Sequence, residues 1–116
     1  MIGHFYFITY AEKLKDPRWQ KKRLEIMQRD NFSCQICKEE NATLHVHHKN
    51  YIFGNDPWDY VDENFITLCW LCHQTEEYSS IKIKDYLYDM KLIGFTNDMI
   101  SGILYKSINN YNNGNI

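Results

Sequence analysis

The chain has 116 residues, a formal charge of −2, 44% hydrophobic residues and 24% charged residues, which is ordinary globular usage rather than that of a disordered chain. No apolar run approaches the roughly 18 residues needed to span a bilayer, and the opening MIGHFYFITYAEK lacks the basic flank and small-residue cleavage site of a signal peptide. The expected protein is soluble, cytoplasmic and free of membrane contact, and its length admits one domain with a small appendage.

Charge is unevenly placed. Residues 1–30 hold seven basic groups (Lys13, Lys15, Arg18, Lys21, Lys22, Arg23, Arg29) against four acidic ones (Glu12, Asp16, Glu25, Asp30). Such a stretch is either a solvated helix face or a surface for an anionic partner. Asp16-Pro17 opens the first clear helix, with Asp as N-cap and Pro at the first helical position. It runs to about Asp30, where Asn31 suits a left-handed stop. Trp19, Ile26 and Met27 fall on its inward side, and Arg23 lies in the same stripe. A basic residue there wants an anionic partner, either a structural acid or a phosphate beside the helix.

FSCQICKEE reads as a tight knuckle and ATLHVHHK as a short strand. NYIFGNDPWDYVDEN, with its Gly, Asn, Asp and Pro, is a long loop, FITLC a second strand, and WLCHQTEEYSS the start of a helix. A further helix is expected over 80–93, with Ile83, Leu87 and Met90 inward and Gly94 closing it. Another spans 97–108, with Thr96 as N-cap and Ile100, Ile103, Leu104 and Ile108 inward. The low-complexity end, 109–116, is expected to be disordered.

Four cysteines form two Cys-x-x-Cys pairs, Cys34/Cys37 and Cys69/Cys72, separated by 31 residues. Without an export signal, this spacing reads as a metal site rather than as disulfides. Each pair presents two thiolates from one turn, and together they complete a tetrahedral structural zinc site with no open position. In so short a chain that staple matters, because the core alone is small.

Zinc saturated by sulfur leaves the histidines for other work. His73 follows Cys72, and Glu77 lies four residues further on, so both share one helix face and can ligate one ion. Cys72 is turned roughly 100° from His73, which separates this second site from the zinc. His47 is the natural partner across the hairpin. His45 shares a strand face with His47 and is read as structural or supporting; His4 is read as incidental.

Taken in order, CQIC, the doublet His47-His48, Asn64 in DENFITLC, and CWLCH ending in His73 resemble the HNH endonucleases. The resemblance covers about residues 16–78. It implies an α+β fold, a small ββα-metal (treble-clef-like) hairpin-helix core stapled by zinc and flanked by N- and C-terminal helices. The domains would be a nuclease core with its N-terminal helix (1–78), a helical extension packed on that core (79–108) and the tail (109–116). It further implies that His47 and His73 hold a catalytic divalent metal (Mg²⁺, Mn²⁺, Ni²⁺ or Zn²⁺), that His48 is the general base, and that Asn64 braces it. Glu77 stands where relatives often have another histidine, and a carboxylate remains a competent ligand.

Hydrolysis of a phosphodiester requires water made nucleophilic near neutral pH, which suits a histidine. The partner implied is DNA, double-stranded, contacted at phosphates by Arg18, Lys21, Lys22, Arg23, Arg29 and Lys49. A monomer would nick, whereas a homodimer or a larger DNA-processing assembly, as in a phage or bacterium, would cut both strands. Tyr51, Phe53 and Trp58 form either a lid on the hairpin or a wedge into substrate. The competing reading is a non-catalytic zinc module that binds nucleic acid or protein. His48, Asn64 and His73 in that order argue against it, since a pure binder needs none of them.

Overall fold

Helix α2 (Pro17–Arg29) begins where its local chemistry dictates. The Asp16 side chain accepts from the Arg18 N–H at 2.8 Å and Pro17 occupies the first turn. At the other end Asn31 and Phe32 both adopt left-handed φ, 56° and 50°. The Phe32 N–H returns to the Met27 carbonyl and the Asn31 N–H to that of Gln28, satisfying carbonyls the helix leaves open. The computed structural model describes residues 8–114, and His4 lies outside them. A short helix α1 (Tyr10–Lys13) precedes α2 and is capped by Thr9.

Strands β1 (Leu44–His48) and β2 (Phe65–Cys69) pair antiparallel, with Leu44 opposite Cys69, Val46 opposite Thr67 and His48 opposite Phe65. Directly opposed residues share a face. Val46, His48 and Phe65 therefore face α2, while His45, His47, Ile66 and Leu68 take the other side. Trp19, Ile26 and Met27 of α2, all three buried as their periodicity predicts, pack with Val46 and Phe65 into the main core. A single 3₁₀ turn (Asp62–Asn64) leads into β2, and helix α3 (Trp70–Leu92) follows it directly. The result is the expected α+β arrangement of hairpin and helix around four cysteines.

Two compact units divide the chain, the first ending at Glu76 and the second beginning at Glu77. The two helices expected from Trp70 and over 80–93 are one, since α3 runs unbroken across Ser79-Ser80. Neither residue forbids helix as Gly or Pro would, and the Ser80 hydroxyl bonds back to the Glu77 carbonyl at 2.7 Å. The Phe95 N–H bonds to the Met90 carbonyl across Gly94, whose φ of 114° ends the helix as expected. Helix α4 (Asn97–Asn112) is capped by Thr96 and continues four residues past Ile108, so 109–112 are helical rather than irregular. The inward stripes expected for these helices are only partly realised: Ile100 is buried, whereas Ile83, Ile103, Leu104 and Ile108 are exposed. Two helices alone do not enclose a stripe that wide. Among the described residues, no helix is long and apolar enough to cross a membrane.

The first unit is tied together by one buried acid. Asp30, 8% exposed, accepts from Arg29 Nε and Nη2 at 2.9 and 3.0 Å and from the Thr67 N–H of β2 at 2.9 Å. Burial raises its pKa, but the Arg29 and Thr67 donors outweigh burial and hold it below the ordinary carboxylate range. A depressed folded pKa stabilises the fold above the unfolded value of about 4 and loses that contribution as pH falls through the folded value. Asp30→Asn is expected to lower stability by roughly 1.5–3 kcal/mol at neutral pH and to flatten the acid limb below about pH 4. Urea melts across that range check it, and unchanged melts would refute the role.

Candidate metal centres and active site

The first cysteine pair sits on a tight turn in which the Lys38 N–H bonds to the Cys34 carbonyl and Lys38 takes a φ of 68°. The second pair straddles the end of β2 and the start of α3, where the Cys72 N–H points at Cys69 Sγ, 3.5 Å away. All four Sγ atoms lie within 4.8 Å of one another, and Cys37 and Cys69 are 3.7 Å apart. The edge of a tetrahedron with Zn–S bonds of about 2.3 Å is roughly 3.8 Å, so the donor set fits the ion. Burial raises the Cys34 thiol, but N–H groups of Cys37, Cys69 and Ile36 outweigh it and bring the pKa to about 6. Cys72 moves the other way, to about 12, through burial and the neighbouring cysteines. One thiolate thus forms readily and its neighbours resist a second, a repulsion that a bound dication offsets.

The histidine doublet divides between the two faces of the hairpin. His47, buried, meets His73 of α3 edge-on with ring centroids 5.1 Å apart. His45, two residues back on the same face, stacks on His73 at 5.3 Å. His48, 3% exposed, turns toward α2 and stacks on Trp19 at 5.1 Å, with Tyr51, Tyr60 and Phe65 around it. Its Nε2 lies 2.7 Å from the Pro57 carbonyl oxygen. A carbonyl only accepts, so Nε2 carries the proton and Nδ1 keeps its lone pair. Burial lowers the His48 pKa against the opposing effect of Pro57, which favours the neutral ring.

Asn64 holds the turn that follows His48. Its Oδ1 accepts from the Asn50 N–H at 3.0 Å, its Nδ2 donates to the Asn50 carbonyl at 2.9 Å, and its own carbonyl accepts from the Lys49 N–H at 2.7 Å. It acts on the backbone after His48 rather than on the ring. Asn64→Ala removes its side-chain bonds to Asn50 from a buried position and is expected to cost roughly 1–3 kcal/mol. Thermal melts of the zinc-loaded protein test this, and an unchanged Tm would show that the turn holds without it.

Residues 34–79 match the family model for HNH endonucleases. This stretch is similar to that family. No curated protein and no solved structure resembles the chain significantly. That likeness implies nucleic acid as the substrate class and a divalent ion as the cofactor class. Glu77 follows His73 by one helical turn and is the first residue of the second unit.

The basic residues expected to meet DNA differ in what they already hold. Arg29 donates to Asp30, to the Asp62 carbonyl at 2.8 Å and to the Phe65 carbonyl at 2.7 Å, so its guanidinium clamps α2 to β2 of the HNH segment. Lys22 pairs with Asp62 at 3.0 Å and Glu25 at 3.3 Å. Arg18 binds Asp16 and lies 4.2 Å over the Trp58 ring. Arg23 finds the Gln20 amide oxygen at 2.8 Å instead of an acid. Lys21 and Lys49 are exposed. Of the loop aromatics, Tyr51 covers His48, Trp58 lies under Arg18, and Phe53 is wholly exposed. Nothing in composition signalled the Arg29 clamp, since its partners lie 33 and 36 residues away.

Proposed function

We propose that the chain is a metal-dependent endonuclease that hydrolyses phosphodiester bonds of duplex DNA, with His48 as general base. The observation that carries this reading is the bond from His48 Nε2–H to the Pro57 carbonyl. It fixes the tautomer that leaves Nδ1 able to take a proton from water, and burial keeps the ring neutral near pH 7. Asn64 supports it by holding Lys49 and Asn50, the residues directly after the base.

His47 and His73 would hold the catalytic ion, with Glu77 a candidate third ligand on helix spacing alone. Such an ion neutralises charge that develops on the phosphate and on the departing oxygen. Lys21, Lys49, Arg23 and the outward edge of Arg18 are the phosphate contacts this reading favours; Lys22 would have to release its acids. Their contribution would appear as a fall in DNA affinity with rising salt. One site cuts one strand, so a monomer nicks, and a homodimer or a larger assembly breaks both.

One observation favours the second reading, a zinc module that binds without cutting. His48 is buried against Trp19, and its ring belongs to a different cluster from His47. Nicking of supercoiled plasmid in Mg²⁺, Mn²⁺ or Ni²⁺, with a chelator control, decides between them. Cutting that needs the ion supports the nuclease, and DNA binding with no cutting in any ion supports the module.

A further inference from the structure

Helix α4 has 16 residues, with Gly102 near its middle and Asn109, Asn110 and Asn112 in its last turn, all poor helix formers. Helices of about 15 residues are marginal in water alone, and most draw their stability from a packed apolar face. At 100° per residue, Ile100, Ile103, Leu104, Ser107, Ile108 and Tyr111 fall on one side of α4. The cover over that side runs out along the helix. Ile100 is 6% exposed, Ile103 47%, Leu104 53%, Ile108 62% and Tyr111 73%. Asp98 and Lys106, the charged residues of α4, lie on the other side.

We infer that the chain forms a two-fold homodimer through this face, with the two copies of α4 lying antiparallel. The stripe reads the same in both directions, which an isologous interface requires. About an axis between Tyr105 and Lys106, Ile103 meets Ile108 of the other copy, Leu104 meets Ser107, and Tyr111 comes beside Ile100. Ser107 leaves room for the leucine and brings no unpaired hydroxyl, since it donates to the Ile103 carbonyl at 3.0 Å. No like charges meet, because Asp98 comes beside Asn113 and Lys106 beside Tyr105. From Glu77 onward four acidic residues balance four lysines, so this unit lacks the basic surface that phosphates or a membrane would select. Ile103, Leu104, Ile108 and Tyr111 offer on the order of 500 Å² per copy. The pair then removes about 1,000 Å² from water, the lower limit for a specific interface, and Kd is on the order of 10 µM. The inference goes beyond the proposed function and holds whether or not the chain cuts DNA.

Sedimentation equilibrium of the zinc-loaded full chain, from about 1 to 300 µM so as to bracket that Kd, tests this. The mass is expected to rise from the 14.0 kDa monomer toward twice that value. Ile103→Glu and Ile108→Lys each place a charge in the pair, and both positions are exposed, so the chain's own packing is spared. Each is expected to weaken association by at least about tenfold, because the charge loses water without gaining a partner. An equimolar mixture of the two variants is expected to dimerise again. The antiparallel register brings the new carboxylate against the new ammonium and leaves the other Ile103–Ile108 pair intact. Zinc content and the near-ultraviolet signal of Trp19 check that both variants fold. Dimers in the mixture but not in either variant alone uphold the inference. Wild type at 14.0 kDa throughout, or variants that associate as wild type does, overturns it. So does a mixture as weak as its components, which would refute the antiparallel pairing. A monomeric wild type whose Tm falls with Ile108→Lys would assign the face to a cover within the chain, and also overturns it.

Discussion

His48→Ala is expected to lower ion-dependent nicking of supercoiled plasmid by about 10²–10⁴-fold, the contribution of a well-placed general base. One ring decides this. Nε2–H is committed to the Pro57 carbonyl at 2.7 Å, so Nδ1 is the nitrogen that can accept a proton. Burial depresses the pKa below the ordinary histidine value of about 6.5, so the base is already neutral near pH 7 and the rate should plateau above it. On the acid side the rate falls as the ring protonates.

Stability moves with the same sign. A ring kept neutral by the fold binds fewer protons folded than unfolded, so its contribution is complete above about pH 6.5 and is lost as pH falls through the folded pKa. His48 also stacks on Trp19 at 5.1 Å, and the alanine variant loses that packing. His48→Phe keeps a ring against Trp19 and Phe65 without a titrating nitrogen. It should retain more of the melting temperature while cutting no better than alanine. Wild-type cleavage by either variant, with zinc in place, would remove His48 from the reaction.

Loss of the four-sulfur site is expected to unfold the first unit. Structural zinc contributes on the order of 10–16 kcal/mol in small domains, comparable to the roughly 5–15 kcal/mol that holds a whole domain together. Here Cys34 and Cys69 are also core residues, packed with Leu68 and bordered by Leu44 and Ile66. The cluster thus joins the knuckle, both strands and the first turn of α3. Cys69→Ser should bind less zinc and lose the cooperative melt, and chelation of wild type should do the same. The near-ultraviolet signal of Trp19 reports on this unit, because that side chain is buried in its main core. A chelated protein with the Trp19 signal and Tm of the zinc-loaded one would show that the hydrophobic core suffices alone.

Local chemistry made much of this legible without coordinates. Asp16 and Pro17 start α2, Asn31 stops it, Thr96 caps α4 and Gly94 ends α3, each through contacts spanning only a few residues. The cysteine spacing announced a four-sulfur cluster. Other features depend on partners brought in from far along the chain. Arg29 reads as one more surface cation until β2 arrives with the Phe65 carbonyl. Asn64 reads as a brace for His48 across the loop, and only the fold shows that its amide meets the backbone of Asn50. The amino-acid sequence by itself determined the caps, the turns and the two paired-cysteine turns, because a capping bond or a Cys-x-x-Cys pair closes within four or so residues. Only the tertiary structure decided which side chains share a site, because that depends on which strand face α2 and α3 come to cover.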